Sequence, residues 1–359
     1  MSNRYLTLIA DTHLAQNPHY DISVAVRAFK TAIDCAAESE EKLLIHGGDF
    51  FNAPVLGVIE LDAAAEIISY ACKKDIKLLI NTGNHDIDTK NRSVIAHLNS
   101  YNQTAKLMQN VEVAGRDILT YWTTSGKPRG HIQIVLMPFG KAPQDAIDIA
   151  KERGYRKAIL VAHTDLNGAQ YDSGHQSVSG WNTETLETLL EHYERVVLGH
   201  VHMPQEFLGG RVFYIGANLQ YNFGSIGQDR GFLTMDLEDF EVTRYVTVGD
   251  GWPEFLDIDY KDIDECSTDI KNRCYRISAG DSPVSDGDIE KEAKELGIQS
   301  VKVKRDIARV ETVVKRSTIE IDDDPYAMGE KYLQTLDIDE EERDELIKIN
   351  KEILRGIGL

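Results

Sequence analysis

Five short stretches of this sequence carry residues that can bind a metal or move a proton, and each follows a run of apolar residues. They are Asp11-Thr12-His13, His46-Gly47-Gly48-Asp49, Gly83-Asn84-His85-Asp86, His163, and Gly199-His200-Val201-His202. The preceding runs, residues 5–10, 43–45, 78–80, 158–162 and 196–198, are short and read as buried strands. In open α/β sheets ligands collect beyond the carboxyl ends of strands, so five such ends on one rim would form one site.

Asp49 stands alone at its strand end. A carboxylate with two oxygens suits a bridge between divalent ions about 3.5–4 Å apart. Residues at i and i+2 of an extended segment point the same way, so Asp11 and His13 are expected to hold one ion with Asp49 and His202. Asn84, His163 and His200, again with Asp49, are expected to hold the second. Mixed imidazole and oxygen ligands suit manganese, iron or zinc better than magnesium. The expectation is two Mn2+ per chain, with Mg2+ as a weaker substitute.

Such a pair polarises a phosphoryl oxygen and lowers the pKa of a bound water toward neutrality for attack on phosphorus. His85, beside a ligand, is the expected catalytic residue, protonating the leaving oxygen or stabilising its charge, with Asp86 orienting its ring. The remaining histidines, His19, His46, His97, His131, His175 and His192, read as surface or packing residues, with His46, just before the bridging aspartate, and His175, in the loop that follows His163, the two kept in view as secondary candidates.

The elements that must position these groups alternate in type. Helical periodicity over residues 24–37 and 57–73 separates the first three strands, giving the start of a parallel, layered α/β sheet. Short β-rich runs at 118–122 and 131–137 flank a turn at 125–128, and a helix over 143–153 leads to the strand before His163. The glycine- and serine-rich stretch 166–180 is too long for an ordinary connection and reads as a lid or substrate loop. Thr183 is a candidate N-cap for a helix ending near His192. Runs at 212–216, 232–237 and 242–246 read as strands closing a second sheet.

Composition shifts after Gly251-Trp252-Pro253, which places a domain boundary at 251/252. Strands at 255–258, 274–277 and 300–304 with a helix at 288–296 make a small α/β unit over 252–318. Residues 319–345 hold 12 acidic and two basic residues, half of the chain's net charge of −20. Helices are expected there at 325–333 and 340–354. Their apolar residues, Ile338, Leu346, Ile349, Ile353 and Leu354, are too few for a core and suggest a partner's surface.

With 359 residues and 42% hydrophobic content, the chain can bury a sizeable core. Its charge argues against a protein that coats nucleic acid by long-range attraction. Four scattered cysteines without a C-x-x-C pair suggest neither a disulfide framework nor a thiolate zinc site. No leader segment or membrane-length apolar run is recognised, so a soluble, cytoplasmic protein is expected, in the host cytoplasm if the source is viral.

With these motifs in order, the chain resembles the calcineurin-like metallophosphoesterases. More narrowly it is similar to SbcD-type DNA-repair nucleases and the bacteriophage recombination-endonuclease subunits related to them. Residues 218–224 and Arg230-Gly231-Phe232 are similar to the segment closing the nuclease domain of that family. The resemblance implies a two-sheet sandwich flanked by helices over 1–251, a DNA-capping domain over 252–318, and an acidic helical tail over 319–359 that docks on a partner.

It further implies manganese-dependent cleavage of DNA, exonucleolytic on duplex ends and endonucleolytic on single strands or hairpins, in double-strand-break repair and recombination. The implied partners are DNA, a second copy of the chain, and an SbcC-type SMC-like ATPase. One departure stands out: the family usually has histidine three residues after the bridging aspartate, where this chain has Asn52. Asparagine can hydrogen-bond a phosphate but cannot supply a proton, which bears on exonuclease efficiency and polarity.

The strongest local basic patch, residues 300–317, offers Lys302, Lys304 and Arg305 as phosphate contacts. Alternative readings are a phosphomonoesterase or cyclic-nucleotide phosphodiesterase on the same site, or a DNA-end tether with little nuclease activity.

Overall fold

The computed structural model describes residues 4–96, 111–123, 131–154, 157–266, 272–298, 300–305, 333, 343–344 and 346–349. The chain divides into two compact units, Met1–Arg305 and Asp306–Leu359.

The first sheet contains β1 (Tyr5–Ile9), β2 (Leu43–His46), β3 (Lys77–Asn81), β4 (Val111–Ala114), β11 (Gly231–Asp236) and β12 (Val242–Val246). Its order is β12-β11-β1-β2-β3-β4, with β1 to β4 parallel and the β11–β12 edge antiparallel. The second sheet contains β5 (Leu119–Trp122), β6 (Gln133–Met137), β7 (Ala158–His163), β8 (Arg195–Gly199), β9 (Gln205–Phe207) and β10 (Val212–Tyr214). Its order is β5-β6-β7-β8-β10-β9, and β6, β7, β8 and β10 are parallel.

Helices α1 (Ile22–Glu38) and α2 (Val58–Lys73) cover one outer face, and α3 (Pro143–Arg153) and α4 (Thr183–Leu190) the other. Helix α1 starts where the Asp21 carboxylate accepts the Ser23 N–H at 2.9 Å, and it buries a stripe through Ile22, Ala25, Val26, Phe29 and Ile33. Leu44, Leu78 and Ile80 pack beneath α1 and α2. Their neighbours Leu43, Ile45 and Leu79 face Ile134, Leu136, Ile159 and Val161 of the second sheet. Both faces of each central strand are therefore covered, which is why these runs show no polar alternation. The result is a helix–sheet–sheet–helix sandwich.

Two expectations change. The strands at 232–237 and 242–246 do not close the second sheet; as β11 and β12 they extend the first, β11 antiparallel to β1 and β12 antiparallel to β11. The cap of α4 is Asn182, whose side-chain oxygen accepts the Thr185 N–H at 2.9 Å, rather than Thr183.

A third, all-parallel sheet joins β13 (Glu254–Asp259), β14 (Arg273–Ser278) and β15 (Ser300–Lys304), with α5 (Asp286–Glu295) crossing from β14 to β15. Ile277, Ile289, Ala293 and Ile298 form its core. It is tied to the sandwich by Phe255 N–H to Gln220 Oε1 at 2.8 Å, and by Arg27 stacked 4.0 Å over Trp252.

In the second unit Leu333, Arg343, Asp344 and residues 346–349 are helical, and Arg343 Nε donates to the Leu333 carbonyl at 3.3 Å. The rest of the expected tail lies outside the described residues, as do His97, the turn at 125–128 and residues 306–318. Among the described residues no helix is long and apolar enough to cross a membrane.

Candidate metal centre

Strands β1, β2 and β3 of one sheet and β7 and β8 of the other end on the same rim. Hydrogen bonds knit the two sheets there. The His200 N–H donates to Asp11 Oδ1 at 2.9 Å, and His163 Nδ1 lies 3.0 Å from the Gly47 carbonyl.

To turn its side chains inward, the backbone adopts positive φ at Asp11 (49°), His13 (41°), Asp49 (55°) and His200 (105°). Each such residue costs about 1–3 kcal/mol and persists only where the surroundings enforce it, which makes this rim a functional candidate on geometry alone. Gly48 (φ 111°) and Gly83 are required by close approach: a Cβ at Gly48 would run into the His163 ring, and one at Gly83 into Asp49.

All seven expected ligands border one space. His13 Nε2 and His202 Nε2 lie 2.9 Å apart, with Asp11 in the same group. On the other side, Asn84 Oδ1 lies 3.1 Å from His163 Nε2 and 2.9 Å from His200 Nδ1. Between them, Asp49 Oδ2 is 3.3 Å from His163 Nε2 and 3.8 Å from His13 Nε2.

This donor set fits a pair of divalent cations. Burial pushes His13 well down and His202 to about 4, so both rings are neutral and offer lone pairs, and His13 Nδ1 has no hydrogen-bond partner among the described residues. Burial opposes the charge on Asp49, but His163 outweighs it and holds the carboxyl well below the usual range. Burial likewise opposes the charge on His163, yet Asp49 and Asp11 raise it to about 9. The pocket around Asp49 thus favours positive charge.

The sequence matches the calcineurin-like phosphoesterase family over residues 5–204, the span that carries every one of these strand ends. The chain belongs to that family. It is a phosphoester hydrolase by descent, and its family uses divalent metals, for which these side chains are the candidate ligands.

Among curated relatives it is similar to the SbcD component of nuclease SbcCD from Staphylococcus epidermidis, 24% identical over 123 residues, which is 32% of each chain. The corresponding SbcD component from Staphylococcus saprophyticus is 27% identical over 86 residues, 24% of this chain and 23% of that one. The similarity therefore spans about a third or less of those relatives. A solved structure of a conserved predicted phosphoesterase from Streptococcus pneumoniae aligns with 68% of this chain and 89% of its own, at 12% identity and a TM-score of 0.30.

His85 sits at the edge of the ligand cluster, its ring edge-on to His13 with centroids 4.7 Å apart. Its backbone N–H donates to Asp49 Oδ1 at 2.9 Å, and its Nδ1 lies 2.7 Å from the Asn52 carbonyl. This corrects the role expected of Asp86, whose carboxylate bonds backbone N–H groups rather than the His85 ring. Fully buried, Asp86 instead accepts backbone N–H groups of Gly83, Phe50 and Phe51 at 2.9–3.2 Å, tying the β2 and β3 loops together. Burial and then Asp49 raise its carboxyl to about 7.

His85 also lines a cleft of about 260 Å³ with His13, His202, Gln16, Asn17 and Asn52. The adjoining His19 lies 2.7 Å through Nδ1 from Ser300 Oγ on β15, so the third sheet borders the same region.

Of the expected DNA contacts, Asn52, Lys302 and Lys304 have exposed side chains. Arg305 is engaged within the fold, with Nε on Asp286 Oδ1 at 2.7 Å, Nη1 on the Ser282 carbonyl at 2.6 Å and Nη2 on the Val284 carbonyl.

Two residues outside the expected ligand set support the centre. His46 accepts the Gly48 N–H at Nδ1 (3.2 Å) and so donates from Nε2 to Thr12 Oγ1 (3.0 Å), stacked parallel to Phe29. The Tyr221 hydroxyl lies 2.9 Å from the Asp11 carbonyl and 2.5 Å from that of Thr12.

Proposed function

We propose that this protein is a metal-dependent DNA nuclease, acting on duplex ends and on single-stranded or hairpin DNA in double-strand-break repair and recombination. The observation that carries the reading is the place of His85, between the ligand cluster and an open cleft that Gln16, Asn17 and Asn52 help to line. The similarity to the SbcD components of the two staphylococcal SbcCD nucleases supports the choice of DNA as substrate.

Asp11, His13, Asp49 and His202 would hold one ion, and Asp49, Asn84, His163 and His200 the other. Two divalent ions, with Mn2+ as the proposed pair, supply polarisation of the phosphoryl oxygen and a water of lowered pKa. The chain's own contribution is orientation and proton delivery. With Nδ1–H held on the Asn52 carbonyl, His85 in its imidazolium form would present Nε2–H and hand that proton to the leaving oxygen, leaving the neutral ring. That hold uses the Asn52 backbone, so the residue type at 52 leaves it intact.

The assembly is part of the proposal. Val55, Val58, Ile59 and Leu61 are exposed apolar residues around the start of α2, whereas Ile95 is buried and Leu56 packs on the core. This cluster supports a homodimer. Residues 252–318 are proposed as the DNA-capping domain and 319–359 as the docking segment for an SbcC-type ATPase, in the cytoplasm of the cell or of a virus's host.

The test is digestion of end-labelled linear duplex with Mn2+ by the wild-type chain and His85→Ala, with metal content measured on both. The wild type is expected to cut, and the variant to keep two metals and lose about 10²–10⁴ in rate. Hydrolysis of a small phosphoester without DNA cleavage, unchanged by an SbcC-type partner, would make this a phosphomonoesterase or cyclic-nucleotide phosphodiesterase instead. A companion test neutralises Lys302 and Lys304. DNA binding should weaken and its salt dependence fall, with little change on a small phosphodiester; equal losses on both would remove these lysines from the DNA path.

A further inference from the structure

We infer that Asp165 is a positioning residue that fixes His200 for metal binding and couples it to the 166–180 loop. The inference rests on the binuclear reading above and assigns a role to a carboxylate outside the ligand set.

The His200 ring lies between two groups. Its Nδ1 is 2.9 Å from Asn84 Oδ1, on the side of the ligand cluster, and its Nε2 is 3.9 Å from Asp165 Oδ1. An imidazole that offers Nδ1 to a cation must carry its proton on Nε2. At this separation the carboxylate acts by its charge rather than by a direct hydrogen bond, favouring the tautomer with the proton on Nε2 and raising the basicity of the nitrogen that binds.

Asp165 is itself held. The Tyr171 hydroxyl donates to Oδ1 at 2.5 Å and the Ser179 hydroxyl to Oδ2 at 3.3 Å, so both carboxylate oxygens are anchored by the loop that follows. Its carbonyl accepts the Trp181 N–H at 2.9 Å, and Asn167 N–H donates back to the Trp181 carbonyl at 2.9 Å, closing the base of the loop. A second pairing, Gln170 with Gln176, closes it nearer the tip. The carboxylate that faces His200 is thus aimed by residues 171 and 179, and displacing the loop would release it. The stretch that reads in sequence as a lid or substrate loop acts here as the mount of a metal ligand's partner.

The test uses the full chain and Mn2+ alone, titrated and followed by calorimetry and by the electron paramagnetic resonance of free and bound ion. In Asp165→Asn the amide keeps an acceptor for Tyr171 but loses the charge. One of the two Mn2+ affinities is expected to fall about 10- to 100-fold while the other holds. Asp165→Glu should restore part of the loss, and Tyr171→Phe, which keeps the charge but frees one oxygen, should give a smaller loss at the same site. Wild-type affinity for both ions in Asp165→Asn would overturn the inference. So would equal weakening of both sites with a lowered melting temperature, which marks a purely structural carboxylate. A wild-type chain that binds fewer than two Mn2+ would instead overturn the binuclear reading, and the two failures are told apart by that control.

Discussion

On one side of Asp49, His13 and His202 meet nitrogen to nitrogen at 2.9 Å with Asp11 alongside. On the other, the Asn84 amide oxygen stands between His163 and His200 at 3.1 and 2.9 Å. The second half is organised by polar contacts of its ligands: an amide oxygen close to two imidazole nitrogens, His163 anchored on the Gly47 carbonyl, and a carboxylate behind His200. The first half brings two neutral imidazoles together on left-handed backbone at Asp11 and His13. It is held in shape from behind, by Tyr221 on the Asp11 and Thr12 carbonyls and by His46 on Thr12. One half is thus fixed by what its ligands bond to, the other by what supports their backbone.

The most severe way to probe this division is to remove the group both halves share. Asp49→Ala should lose both ions and reduce hydrolysis to background, read by metal content and turnover on the same sample. His202→Ala, confined to the first half, should retain one ion. If Asp49→Ala keeps an ion as tightly as His202→Ala does, the halves are not joined through Asp49 and the comparison fails.

How far this division was legible in sequence depends on the kind of contact. The strand ends were visible because strands buried on both faces leave continuous apolar runs, and the polar residues that break them stand out. That the runs at 232–237 and 242–246 join the first sheet was not visible, since the antiparallel pairing of β11 with β1, which brings β12 with it, is a contact across more than 200 residues with no local signal. Asp86 stands beside His85 in the chain, which suggested a contact with its ring. The actual partner is a main-chain carbonyl at Asn52, and backbone acceptors carry no residue signature. Asp165 had a usable signal, a carboxylate two residues past a ligand at the head of a long loop. His46 had only its place just before Gly47-Gly48-Asp49 as a signal, because its role comes from bonds on both ring nitrogens inside a closed core.

His46 offers the finest test of the claim that the first half is held from behind. Burial, with His163 adding, holds it down to about 3, so it stays neutral in the fold well below its ordinary 6.5. The sign follows from linkage. Above pH 6.5 the ring is neutral in both folded and unfolded chains and its contribution is intact. As pH falls toward 3 the unfolded chain takes up a proton that the fold refuses, so stability declines by about 1.4 kcal/mol per pH unit, about 5 kcal/mol in all. His46→Gln cannot titrate, so its unfolding free energy in denaturant should fall less steeply between pH 6.5 and 4, by about one proton's slope. Its single amide cannot span Gly48 and Thr12 as the ring does, so Mn2+ affinity should weaken more in the first half than in the second. Matching pH slopes in the two proteins would sink the burial argument. Equal weakening of both ions would mean that His46 supports the rim as a whole, erasing the distinction between a half fixed by its ligands' bonds and a half fixed by its backbone.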